Sequence, residues 1–81
     1  MSTKSDASRM IGNNVKNIEV SWSVHKARRN GLVDLLVEMP DGDEAAYDVA
    51  EFLGALYEEY QVDRVKTYYS DLKVTVRLPE A

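Results

Sequence analysis

From Asn17 the apolar residues fall at every second position. Ile18, Val20, Trp22 and Val24 alternate with Asn17, Glu19, Ser21, Ser23 and His25. That is the pattern of a strand with one buried face. Asn30-Gly31 follows, and this pair suits a two-residue type I′ turn, which needs positive φ at both central positions. Beyond it Val33, Leu35, Val37 and Met39 alternate with Leu32, Asp34, Leu36 and Glu38. A two-residue turn pairs Arg29 with Leu32, Val24 with Val37 and Trp22 with Met39, so the apolar sets of both strands share a face. In that register Lys26 and Arg28 fall on the apolar side, their stems over the edge of the core and their charges in water.

Pro40-Asp41-Gly42-Asp43 ends the second strand. Val49, Phe52, Leu53, Leu56, Tyr57 and Tyr60 then follow the i, i+3, i+4, i+7 spacing of an amphipathic helix. Its start has two readings. Asp43 caps a longer helix through Ala45 and Ala46, or Asp48 and Glu51 form a capping box and leave residues 44–47 as a short strand. Helix propensity favours the longer one. In the last block Val65, Thr67 and Tyr69 alternate with Arg64, Lys66 and Tyr68, and Leu72, Val74, Val76 and Leu78 with Lys73, Thr75 and Arg77. A turn at Ser70-Asp71 pairs Tyr69 with Leu72, Val65 with Val76 and Arg64 with Arg77.

The expected fold is therefore α+β: a two-layer ββαββ domain over residues 15–81, with one helix on one face of an antiparallel four-stranded sheet in an undetermined strand order. Residues 1–14 are mostly polar and read as a flexible tail. Trp22, Tyr57 and Tyr60 fall at core positions. Leu32 and Leu36 point outward, as a small contact patch or beneath a cover supplied by Met10 and Ile11 or by a further strand.

Composition narrows the chemistry. The chain has 81 residues, 44% hydrophobic and 30% charged, the balance of one globular domain. No apolar run approaches the ~20 residues of a membrane span, and no secretory leader pattern is visible, so a cytoplasmic protein without membrane contact is expected. There is no cysteine, which removes disulfides and thiolate sites. His25 is the only histidine; it has no second ligand for a metal and no carboxylate placed to orient it as a base. Asp41 and Asp43 resemble the start of a calcium loop, but Ala45 and Phe52 stand where that loop needs ligands. The four glycines are scattered, so there is no phosphate-cradling loop. The expectation is no enzyme, no metal and no cofactor.

Charge is the informative feature. The net charge of −4 divides into +4 over residues 1–29, −10 over residues 30–63, where there is no Lys or Arg, and +2 over residues 64–81. On the expected fold Asp48, Glu51, Glu58 and Glu59 face outward from the helix, with Asp41, Asp43 and Glu44 just before them. Such a face imitates a phosphate backbone and suits a basic protein partner. The leading expectation is a non-enzymatic protein-binding module, an acidic inhibitor or accessory protein for a basic, nucleic-acid-handling partner. The alternative is a nucleic-acid binder that uses Arg64, Lys66, Tyr68, Lys73 and Arg77 on the uncovered sheet face, with Lys26, Arg28 and Arg29 near the first turn. Homodimerisation through edge strands or complementary charge is a further expectation.

Overall fold

A computed structural model describes residues 4–79, apart from the side chain of Arg29. The chain runs α1 (Lys4–Val15), β1 (Trp22–Ala27), a three-residue 3-10 turn (Arg29–Gly31), β2 (Leu32–Glu38), α2 (Asp43–Glu59), β3 (Gln61–Tyr68) and β4 (Asp71–Arg77). The four strands form one antiparallel sheet in the order β1-β2-β4-β3. This is the α+β architecture expected, with a second helix added.

That helix corrects the flexible tail. Residues 4–15 are helical, and Ala7, Ile11 and Val15, at i, i+4 and i+8, are buried. They join Val49, Phe52 and Leu56 of α2 and Val33, Leu35, Val37, Val74 and Val76 of the central strands in one core. Two helices thus share the covered face. A segment that holds two Ser, two Asn and a Gly around three buried apolar positions carries little intrinsic helix preference, so packing rather than propensity stabilises α1. The Tyr60 hydroxyl ties it to the end of α2, accepting from Asn14 Nδ2 and donating to Met10 O at 3.4 Å. Residues 1–3 of the expected tail lie outside the described residues.

The first hairpin differs from expectation at its turn. Asn30 and Gly31 do take positive φ, 66° and 77°, but the loop is three residues long and closed by Arg28 N–H to Leu32 O at 2.7 Å. An odd loop would invert the faces of β1. A bulge at His25 inverts them back, so Ala27 faces Val33 while Val24 faces Leu35 and Trp22 faces Val37. Lys26 consequently lies opposite Asp34 on the uncovered face, and neither Lys26 nor Arg28 is on the apolar side. Regular pairing of β1 starts at Trp22, while Ile18 and Val20 reach the core from the connection before it.

The second hairpin turns at Tyr69-Ser70, one residue earlier than expected. Val65 therefore faces Val74, and Arg64 faces Thr75 instead of Arg77. The shift conserves side-chain parity within the strands, so the same strand residues line each face; Tyr69, expected opposite Leu72 on the covered side, falls in the turn instead and is exposed. A bulge at Asp63 places Val62 on the covered side as well.

α2 begins at Asp43, and residues 44–47 are helix, not strand. Gly42 is the N-cap, at φ 107°, with its carbonyl accepting from Ala46 N–H. Tyr60 is buried and Trp22 packs at 5.8 Å on Phe52, but Tyr57, expected in the core, is 61% exposed. Leu32 and Leu36 are half-buried on the uncovered face of a central strand, with Leu36 between Ser23 and Lys73. α1 does not cover them.

Two outcomes test this packing. Ile11→Ala is expected to cost about 2–5 kcal/mol in urea unfolding; a loss below about 0.5 kcal/mol, the size of a surface substitution, would place α1 outside the core. Gly31→Ala is expected to cost about 1–2 kcal/mol in the same assay, because a Cβ there meets Leu78 O at 3.0 Å on a backbone of φ 77°.

Candidate binding surfaces

The sheet separates two charged surfaces. On the helix side Asp43, Glu44, Glu51, Glu58 and Glu59 of α2 are exposed, Asp48 is half-buried, and Asp41 is exposed in the preceding connection. Among the described residues no cation lies within 4 Å of any of them; the ion pairs found are Arg9–Asp6 and Arg28–Asp34. Asp43 and Glu44 sit at the helix N-terminus, where the peptide dipoles favour negative charge. Glu58 and Glu59 sit at the disfavoured end, with no base in the last turn to offset them. Tyr47, Glu51, Gly54 and Glu58 fall one above another along the outward line of α2. Tyr47 is 74% exposed, and a Cβ at Gly54 would meet nothing within 4 Å.

On the opposite side lie Arg64, Lys66 and Tyr68 of β3, Lys73 and Arg77 of β4, and Lys26 of β1, as their register requires. Two like-charge pairs lie on this face, Lys66 opposite Lys73 and, at the Tyr68 end, Glu38 opposite Asp71; Arg64 does not face Arg77. Arg77 donates to Asn30 O at 3.0 Å. Arg28 belongs to a different arrangement, and the Arg29 side chain lies outside the described residues.

That arrangement centres on Asp34, which is 1% exposed although it lies on the uncovered face. The Thr75 hydroxyl donates to its Oδ1 at 2.8 Å, and the Arg28 guanidinium donates Nε at 3.0 Å and approaches with Nη2 at 2.8 Å, both at Oδ2. Burial by itself raises the carboxyl's pKa. The bonds from Thr75 and Arg28 and the positive charges of Arg28 and Lys73 outweigh it, leaving the pKa below the usual 3.8. Every oxygen of the carboxylate is engaged, so its work is structural.

The aromatic rings were the least foreseeable part. His25 on β1 and Tyr68 on β3 come from opposite edges of the sheet, yet their ring centres are 5.3 Å apart. On a flat sheet those strands stand ~14 Å apart. The rings therefore lean inward over the central strands from both edges. Tyr69 meets Tyr68 edge-on at 4.8 Å, and Lys73 Nζ lies 5.1 Å over the Tyr68 ring. Lys66 and Arg64 stand exposed along the same edge. His25 was placed on this face from its sequence position, but without a partner; the crossing to Tyr68 depends on sheet curvature that periodicity does not encode. Asp34 had a signal, an acid inside the apolar run Leu32–Val37, but its partner Thr75 is named only once the two central strands are paired.

No group of three or more potential metal ligands occurs among the described residues, and no helix among them is long and apolar enough to cross a membrane. Compared with known proteins, the chain matches no family model, no curated protein and no solved structure.

The depressed pKa of Asp34 has a signed consequence. A carboxyl whose pKa is lower in the folded state adds stability above its unfolded pKa, and that stability is lost as pH falls through the folded value. Asp34→Asn is therefore expected to be less stable than the native chain near neutral pH. The gap should close as pH falls below about 4, followed by thermal melting across pH. A gap that persists unchanged in acid would remove the ionised carboxylate from the explanation.

Proposed function

We propose that the protein is a non-enzymatic binding module whose α2 face engages a basic protein partner, in the manner of an acidic inhibitor or accessory protein. The observation that carries this reading is the company kept by two exposed tyrosines: Tyr47 and Tyr57, 74% and 61% exposed, stand on a helix whose outward carboxylates have no cation within 4 Å among the described residues. Exposed tyrosine is the side chain most suited to anchor an interface, because it brings a large rigid surface and a hydroxyl at little entropic cost. The unneutralised carboxylates around it steer a positively charged surface toward the helix and set its orientation.

Gly54 supports the same face. A glycine inside a helix costs about 1 kcal/mol relative to alanine, and here no neighbour requires it, since a Cβ would enter open space. Its position on the outward line between Glu51 and Glu58 leaves room for a partner's backbone to approach closely.

Two measurements test the reading. Affinity capture from native extract is expected to recover a basic protein in stoichiometric amount, and reversal of Glu51, Glu58 and Glu59 to Lys is expected to abolish that complex. Retention of the partner by the triple reversal would sink the proposal. Gly54→Ala is expected to stabilise the free protein by up to about 1 kcal/mol while weakening the complex. A variant that melts higher and binds as well as the native chain would remove Gly54 from the interface.

A further inference from the structure

We infer that the uncovered face of the sheet binds single-stranded nucleic acid, with bases stacking on the rings gathered there and phosphates held by the surrounding lysines and arginine. This inference is independent of the α2 reading and concerns the opposite surface of the molecule.

Three observations meet on this face. The first is unspent positive charge. Lys66 and Lys73 stand directly opposite one another on β3 and β4, a pairing that costs stability when nothing negative lies between them. Lys73 turns toward the Tyr68 ring, while Arg64 and Lys66 are exposed with no acid within 4 Å among the described residues. A phosphate lying between the two lysines removes the repulsion.

The second is the ring cluster itself. His25, Tyr68 and Tyr69 touch in series across the face. Tyr69 is the exposed ring of the three, and His25 and Tyr68 are half-buried behind it. Cations beside an exposed ring on a sheet are the combination that binds single strands, the cations tracking the backbone and the ring accepting a base.

The third is the residue at the turn. Tyr69 is held at φ 56°, a left-handed conformation that disfavours a bulky side chain and that glycine or asparagine would adopt more readily. The chain gains no buried contact from it, since Tyr69 is 93% exposed. What the turn does accomplish is to stand this ring out from the sheet, edge-on to Tyr68. The two-residue hairpin turn itself requires positive φ at this position; what the turn does not require is an aromatic there, and the ring it presents is free to meet a ligand.

A duplex keeps its base faces stacked inside, so rings can be paired only with an unpaired strand. The net charge of −4 does not oppose this. The acids of α2 lie on the far side of the apolar layer and the sheet, where salt screens them; the acids on this face, Glu38 and Asp71, stand at the Tyr68 end, away from Arg64.

The test is fluorescence anisotropy with labelled oligo-dT and oligo-rU of about 15 nucleotides, within the range one small domain covers. Binding is expected to weaken with salt, with a log–log slope near −2 to −3 for three or four phosphate contacts. Lys66→Ala should make that slope shallower by about 0.7. Tyr69→Ala should weaken binding by roughly 5- to 100-fold. Both side chains are exposed, so melting curves of the variants check that the fold is retained, and His25→Ala provides a further ring deletion on the opposite edge. Equal affinity for a duplex of the same length would overturn the inference. So would no anisotropy change at about 50 mM salt, or full binding by Tyr69→Ala and His25→Ala alike. Salt-sensitive self-association without probe binding would overturn it too, assigning the face to α2 of a second copy.

Discussion

β2 and β4 lie side by side at the centre of the sheet, and the rest of the molecule is arranged around that pair. Between them they supply Val33, Leu35, Val37, Val74 and Val76, all fully buried. These five carry the covered face on which both helices pack. Because the pairing is antiparallel and in register, it also puts Asp34 opposite Thr75 on the other face. The buried carboxylate is then satisfied by a hydroxyl across the ladder and by the arginine that follows β1. One pairing thus decides where the core lies and how the polar cluster behind it is satisfied. It also relegates β1 and β3 to the edges, which is why the basic residues of β3 remain open to solvent.

Side-chain parity explains how much of this could be read from the residues. Both hairpins, the helix between them and the face taken by most strand residues follow from apolar periodicity, and these agree with the structure. The start of α2, open in the sequence between Asp43 and Asp48, lies at Asp43. Registers do not follow so directly. A three-residue loop plus a bulge at His25 yields the same faces for Trp22 and Val24 as a two-residue turn with no bulge, so the apolar pattern cannot distinguish them. What differs is Lys26 and Arg28, which the three-residue loop puts on the uncovered face before the bulge restores Val24 and Trp22 to the core side. The second hairpin shifts by two residues, again preserving parity within the strands; it changes which cations face each other and leaves Tyr69 exposed in the turn. α1 was illegible for a different reason. Its three buried residues, Ala7, Ile11 and Val15, lie in a mostly polar stretch, and its helicity depends on a surface that exists only after the sheet and α2 have assembled.

The charged surfaces divide along the same line. The acidic stretch is visible in the chain because ten carboxylates follow one another with no base between them, and helical spacing alone turns most of them outward. The exposure of Tyr57 was not visible, since i, i+4 spacing from Leu53 places it beside the core stripe, and only the tilt of α2 on the sheet decides which edge of that stripe is covered. On the basic face the cations were legible by alternation, while the crossing of His25 and Tyr68 was not. Rings from opposite edges meet only when four strands twist enough to bring those edges together, and twist has no residue-by-residue signature.

Segregation of charge is then a consequence of layering rather than of composition. α2 brings most of the acids of residues 30–63 to one side, and the outward positions of β3 and β4 bring cations to the other, where the acids Asp34, Glu38 and Asp71 also lie. In a two-layer domain these surfaces cannot neutralise each other, because a full layer of apolar side chains and a sheet stand between them. Each surface therefore presents its own potential at contact distance, where the net charge of −4 has little meaning. Like charges stand side by side on both faces, Glu58 next to Glu59 at the unfavourable end of α2, and Lys66 opposite Lys73 and Glu38 opposite Asp71 on the sheet. Those are small standing costs in the free molecule.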